Sequence, residues 1–303
     1  MWKYILKRIG LAIVTVFIII TITFFAMNAI PGGPFEKEKA PDPAVRAALE
    51  ARFHLDKPVG EQFVLYINDM LHGDFGISLK SGRDIMQTIS ESFSVSAKLG
   101  GAAAVVALIF GLIFGAIAAL TRNSVFDRLI IFFTTFFVSV PNFVLATILL
   151  LVFCLNLGWF PVFSPENQNY VLPIFALSLY PMSYITRLTK SSMLDVLGQD
   201  YVRTARSKGL TETKVVYKHA LKNALIPVIT YMGPMIAYIL TGSLVVETVF
   251  TIGGLGSKFV TGITNRDYPM IMATTIFLSV LMVIATLVSD LIYKAVDPRI
   301  TFE

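Results

Sequence analysis

Six apolar stretches divide the chain, at residues 9–30, 95–120, 129–155, 171–188, 225–249 and 270–295. Each can cross a hydrocarbon core of about 30 Å at about 1.5 Å rise per residue. Polar segments separate them. The pattern predicts an all-α polytopic membrane protein with six transmembrane helices. Pro173 and Pro181 interrupt the fourth stretch. A proline kinks a membrane helix where neighbouring helices resatisfy the backbone.

The first stretch follows Lys3, Lys7 and Arg8 and ends at "NAIPGGPF". A cleavable leader has an apolar run of about 7–15 residues and a small-residue cleavage site. Residues 9–30 are longer and carry no such site, so they read as a retained anchor. The segment 31–94 is too long for a turn. "DPAVRAALEARFHLDKP" reads as one amphipathic helix and "VGEQFVLYINDMLHGDFGISL" as a second that ends at the Gly-rich "HGDFG". Phe53, Leu55, Phe63, Leu65, Tyr66 and Leu71 give the pair an apolar face. The chain then divides into an anchor (1–30), a small external helical segment (31–94) and a five-helix core (95–303) with a polar loop at 189–224.

Charge orients the spans. With the N-terminus inside, the inner face holds Lys3, Lys7, Arg8, Arg122, Arg128, the basic loop 189–224, Lys294 and Arg299. The outer face holds 31–94, with more acids than bases, 156–170, with no Lys or Arg, and 250–269. The reverse orientation puts the most basic loop outside, against the positive-inside tendency. Both termini are therefore expected in the cytoplasm.

Composition narrows the class. Mean hydropathy is +0.71. Charged residues make up 15%, against about 25% in a soluble domain. Apolar residues at 55% exclude disorder. The net charge of +5 is accounted for by inward-facing basic loops, without nucleic acid. Cys154 is the one cysteine, which excludes a disulfide within the chain and reads as a small buried hydrophobe. His54, His72 and His219 fall too far apart in this topology to form a metal site. No Gly-x-x-x-x-Gly-Lys-Ser/Thr loop occurs, and "GGLGSKF" at 253–259 has the wrong spacing, so the chain does not hold ATP by that device.

The most informative polar stretch is "DYVRTARSKGLTETKVVYKHALKNALIPV", residues 200–228. Leu194, Leu197, Tyr201 and Ala205 recur at helical spacing, with Arg203, Arg206 and Lys208 off that stripe. Gly209 ends the helix, with Lys208 in its last turn. A second helix begins near Thr211, capped by Thr211 or Thr213 with Glu212 in or near the first turn. Val215, Val216, His219 and Ala220 form its apolar face. One reading is a solvated basic loop that sets topology. The other is a short helix that docks in a partner's groove. The order of amphipathic helix, obligate turn and second helix fused to a span favours docking.

"RTARSKG", nine residues and "HAL" resemble the cytoplasmic EAA loop of ABC importer permeases. Arg203, Thr204 and Ala205 stand at its Glu-Ala-Ala positions, Gly209 at its Gly, and His219 and Leu221 at its Ile and Leu. Lys222 replaces its Pro. Arg for Glu and Lys for Pro are how the peptide branch of the family writes this loop. "IPGGPF", "HGDFGISL", "VSAKLG", "VPNFVLA", "TGSLVVETVF", "GGLGSKFV", "NRDYP" and "DPRI" extend the resemblance over the whole chain, to the B-type permease of oligopeptide and dipeptide importers. The resemblance implies a non-enzymatic subunit of the bacterial cytoplasmic membrane. It implies a second, C-type permease, two cytoplasmic ATPases that carry ATP and Mg, and an extracytoplasmic peptide-binding protein. It implies no cofactor on this chain itself. ATPase coupling is expected at Asp200, Arg203, Thr204, Ala205, Lys208, Gly209, His219 and Leu221. Peptide is the expected cargo, with nickel an alternative that related permeases carry.

A peptide path needs small or polar side chains facing a wet cavity. Candidates are Ser139, Asn142, Tyr180, Ser183, Tyr231, Tyr238, Thr241, Ser243 and Glu247, with Asp290 a weaker one. Hydrogen bonding between helices is the competing use of the hydroxyls. Gly111 and Gly115 form a Gly-x-x-x-Gly pair suited to close helix packing. A secondary ion-coupled transporter is the rival reading, but inverted repeats and midplane carboxylates are not evident. An intramembrane hydrolase needs paired catalytic groups at matched depth, and the histidines fall in loops.

Overall fold

The computed structural model describes residues 2–30 and 57–296; the side chains of 2–5, 241–242 and 291–296 lie outside that description. The predicted helix at 42–58 lies almost wholly outside the described residues, with Phe53, His54 and Leu55, as do Arg299 and the side chains of Lys3, Thr241 and Lys294. Helices account for nearly all described structure: α1 Trp2–Asn28, α2 Val59–Leu71, α3 Ile85–Leu120, α4 Val125–Ser139, α5 Asn142–Asn156, α6 Val171–Leu197, α7 Asp200–Ser207, α8 Glu212–Val249, α9 Leu255–Asn265 and α10 Tyr268–Val296. The one strand-like feature among the described residues is an isolated bridge between Ile77 and Asp84. Among the described residues, five helices (α1, α3, α6, α8 and α10) are long and apolar enough to cross a membrane, and α4 with α5 makes six if the bent pair is one span.

That bent pair departs from the straight third span that the apolar pattern predicts. The chain turns by 105° between Ser139 and Asn142. Val140 is extended (φ −86°, ψ 129°) and so is Pro141 (φ −56°, ψ 137°). A proline drives the residue before it out of the helical region and offers no N–H to the preceding turn. The fourth span departs in the other direction. It continues unbroken to Leu197, nine residues past its predicted end, with Pro181 inside it. Pro173 falls in the first turn, where its missing N–H costs nothing.

The chain forms two compact units, Met1–Val95 with Gly253–Val283, and Ser96–Ile252 with Ile284–Glu303. In the first, Ile20, Phe24 and Met27 form one stripe of α1 and pack with Ile271, Met272 and Ile276 of α10. Phe63, Tyr66, Ile67 and Met70 of α2 cover this cluster, and the Phe24 and Phe63 rings meet edge-on at 5.2 Å. Leu71, expected on that face, is 75% exposed instead, because the helix ends there and the chain turns at His72–Gly73.

In the second unit close backbone approach does the packing. A Cβ at Gly111 would lie 2.7 Å from Ile185 Cγ2, and one at Gly115 would lie 2.5 Å from Thr189 Cβ and 2.7 Å from the Thr186 carbonyl. Gly100 faces Ile239, and Gly233 faces Ser289 more tightly still. Lipid chains are as apolar as leucine, so helices in a bilayer associate by such van der Waals fit and by polar contacts.

Candidate functional site

The polar loop folds into an elbow. Gly198 caps α6, Gln199 is extended, and α7 begins at Asp200. The continuous stripe predicted from Leu194 to Ala205 is therefore broken by Gly198. Leu194 and Leu197 belong to α6, and Tyr201 is exposed. Val202 takes the expected place of Tyr201, packing with Ala205 and Val215 beside Val196, Leu197 and Leu210. This apolar base turns Asp200, Arg203, Thr204 and Lys208 outward, and all four are exposed. Ala205 is buried beneath them.

Gly209 closes α7 at φ +75°. Its N–H donates to the Arg206 carbonyl, and the Leu210 N–H donates to the Ala205 carbonyl at 3.4 Å. These are the two bonds of a Schellman cap, and the Leu210–Ala205 contact is its customary hydrophobic partner. Nothing lies within 4 Å of a Cβ at this position, so the left-handed backbone alone demands glycine there.

Two contacts that the pattern of residues did not single out brace the elbow. Arg206 donates to both carboxylate oxygens of Glu212 across the Gly turn, at 3.1 Å from Nε and 2.5 Å from Nη2. This bond raises the Arg206 pKa above its ordinary value. Asn223 Nδ2 donates to the Tyr201 hydroxyl at 2.7 Å, tying α7 to the base of α8. Thr211 occupies the cap of α8 without a side-chain hydrogen bond.

The first turns of α8 are π-helical from Val215 to Leu221. His219 and Leu221 lie there, half-buried. Leu221 packs with Ala119, Met193, Val216 and Ala224. They form the elbow's footing, and its outer face is left to α7. The footing touches the ends of α3 and α6, so a force on α7 has a packed route to three spans.

The proposed pathway residues do not share one environment. Ser183 and Ser243 are buried and donate to their own helices, at the Leu179 and Leu240 carbonyls. Glu247 is fully buried and accepts from Ser96 Oγ at 2.6 Å. Tyr170, just outside α6, has its pKa raised, first by burial and then by the Glu247 charge. Ser139 is exposed at the bend. The tyrosines form a seam. Tyr180 stacks on Tyr238 at 4.5 Å, and Tyr184 on Tyr231 at 4.2 Å. Tyr184 was not singled out from the sequence; its i, i+4 relation to Tyr180 was the signal. Both amide atoms of Asn142 are buried without a hydrogen-bond partner, directly after the Pro141 bend.

A further polar contact joins two of the quoted motifs. Asp267 of "NRDYP" accepts from Ser78 Oγ of "HGDFGISL" at 2.5 Å and from the Leu79 N–H at 3.1 Å. No metal-binding cluster of His, Cys, Asp or Glu occurs among the described residues.

Residues 111–302 match the family described as binding-protein-dependent transport system inner membrane component, and residues 1–100 match its N-terminal companion. The chain belongs to this family. It is thus a multi-pass inner-membrane transport component and not an enzyme. The dipeptide transport system permease protein DppB of Bacillus subtilis (strain 168) is 46% identical over 302 residues, covering 99% of this chain and 98% of that protein. The oligopeptide transport system permease protein OppB of Salmonella typhimurium is 42% identical over 306 residues, covering both chains in full. A structure of the MetNI methionine ABC transporter in inward-facing conformations shares the fold. Its TM-score is 0.56 at 17% identity, over 70% of this chain and 97% of that one.

Proposed function

We propose that this transport component is the B-type permease of an ATP-driven peptide importer, coupled to its motor through the elbow of α7 and Gly209. Full-length similarity to a dipeptide and an oligopeptide permease supports peptide as cargo. One structural observation carries the coupling: a short helix with an exposed polar face, closed by a left-handed glycine and packed on the end of α6 and the start of α8, which in turn meets the end of α3. A cytoplasmic ATPase receives α7, a second is received by a C-type permease, and an extracytoplasmic binding protein delivers peptide. The α4–α5 pair counts as one span in this reading. That gives six spans and puts both termini in the cytoplasm, with residues 31–94 outside.

The tyrosine seam supports a pathway between α6 and α8. Phenol hydroxyls suit neither bare hydrocarbon nor a dry core, but they can both donate to and accept from peptide backbone. A stacked pair is worth about 1 kcal/mol. Two such pairs hold α6 on α8 and still part in every transport cycle. Asn142 offers donor and acceptor at the bend for the peptide or for the second permease.

The test is reconstitution. The chain alone in vesicles moves no peptide, and adding the second permease, the ATPases and the binding protein with ATP produces uptake. Gly209→Val forces a branched side chain into a left-handed backbone, and Arg203→Glu reverses a charge on the docking face. Each should lower uptake at least about tenfold per ATP hydrolysed, a coupling loss of about 1.4 kcal/mol, while insertion stays intact. Normal uptake by both variants would remove the elbow from the mechanism. Peptide uptake by the chain alone under a proton gradient would replace this reading with a secondary transporter.

A further inference from the structure

The structure holds a second polar feature away from the elbow and the tyrosine seam. An open groove of about 430 Å³ lies beside α4 and α6, lined by Asp127, Arg128, Ile131, Phe132, Thr135 and Lys190. That volume falls in the range of small-molecule sites, about 300–1,000 Å³. Its two ends differ in chemistry. One is cationic, with Arg128 exposed and the Lys190 side chain 20% exposed. The other runs along one face of α4 over Ile131, Phe132 and Thr135. Apolar exposure continues beside it, with Phe132 63%, Phe133 50% and Phe136 46% exposed.

The acidic member does not oppose an anion there. Asp127 has one carboxylate oxygen on Lys190 Nζ at 2.5 Å and the other on the Asn123 N–H at 3.0 Å. Its charge is matched by Lys190, which keeps further N–H donors on the same ammonium. Arg128 remains as net positive charge, with a long bond of 3.5 Å from Nη2 to the Asn123 carbonyl.

We propose that this groove seats the headgroup of an anionic glycerophospholipid, with the phosphate on Arg128 and Lys190 and an acyl chain along Phe132 and Thr135. A soluble phosphate would use the cationic end and leave the apolar wall idle. An amphiphile fits both. Basic pockets between spans at the cytoplasmic side are where such headgroups bind. Assignment to the inner leaflet rests on the orientation proposed above, whereas the lipid preference does not.

The test uses the full-length chain with Trp2→Phe and Trp159→Phe, carrying one indole probe introduced as Phe132→Trp. It is reconstituted in symmetric phosphatidylcholine vesicles containing brominated phosphatidylglycerol or brominated phosphatidylcholine. Symmetric vesicles make the outcome independent of orientation. The groove probe should be quenched at about fivefold lower mole fraction of the anionic lipid, the effect expected of one interfacial cation. The preference should vanish with Arg128→Gln and persist with Arg128→Lys. A probe placed off the groove as Phe133→Trp should show no preference. Each variant is first required to melt at the parent temperature. Equal quenching by both lipids overturns the proposal, as does a preference that survives Arg128→Gln. Quenching by neither lipid means that protein covers the groove, and it overturns the proposal too. Displacement by soluble glycerol phosphate would assign the cationic end to a free anion and reject the lipid.

Discussion

Helices α1 and α6 invert the rule of soluble proteins. The apolar window of α1 is among the most hydrophobic in the chain, yet 11% of it is buried against protein; that of α6 is the least hydrophobic, and 61% of it is buried. In water, apolar residues go inside because water is the worse solvent for them. In a bilayer the surroundings are themselves apolar, so hydropathy marks the face that meets lipid. α1 turns Leu11, Ile13, Val14, Phe17, Ile18 and Ile22 outward and keeps Ile20, Phe24 and Met27 for protein. α6 instead buries Ser178, Ser183, Thr186 and Thr189. The first three hydroxyls close on carbonyls of their own helix. Polarity that would be costly in lipid is hidden in the helix, and the gain is close contact with the glycines of α3.

The largest effect should come from the α3–α6 contact. Gly115→Leu places a side chain where Thr189 and the Thr186 carbonyl already sit. Overpacking of this kind costs about 3 kcal/mol, and unfolding titrations in detergent should show it as a lowered midpoint. An unchanged midpoint would mean that α3 and α6 are not held at this distance.

The next effect should come from the Asp127–Lys190 pair, whose members are 7% and 20% exposed. Removing one partner of a fully buried pair costs about 3–5 kcal/mol. Partial hydration of Lys190 brings Asp127→Ala down to about 2 kcal/mol. Asp127→Ala combined with Lys190→Met should recover most of that loss, since no unpaired charge remains. A double variant no better than the single would assign the loss to packing.

The smallest effect should come from the lipid face. Ile13, 65% exposed, exchanges protein contact for almost nothing. Ile13→Ala should move stability by less than about 0.5 kcal/mol in the same titration. A cost near that of Gly115→Leu would mean that α1 carries a protein interface along its apolar face.

Much of the elbow was legible in the residues. Gly209, the polar run before it and the fusion to a span predict helix, turn and helix, and the Schellman cap follows from one glycine at the right place. What escaped was register. Leu194, Leu197, Tyr201 and Ala205 fit a helical spacing, but spacing does not see that Gly198 ends one helix and Gln199 starts another. That shift puts Val202 in the base and sends Tyr201 to Asn223. The Arg206–Glu212 brace was also beyond reach, because the two residues become neighbours only when the chain reverses at Gly209.

The spans show the same division. Apolar length fixes how many segments can enter a bilayer and roughly where, since that is a property of each segment against its solvent. Whether a proline bends its segment is a property of the neighbours. Pro141 and Pro181 each remove one N–H, but α6 stays continuous with Pro181 packed inside it, while the chain at Pro141 turns by 105°. Sequence alone therefore determined the class, the apolar segments and the position of the obligate turn. Tertiary structure decided which polar side chains meet, as with Tyr180 and Tyr238 or Asp127 and Lys190, because those contacts join residues dozens of positions apart that only packing brings within reach.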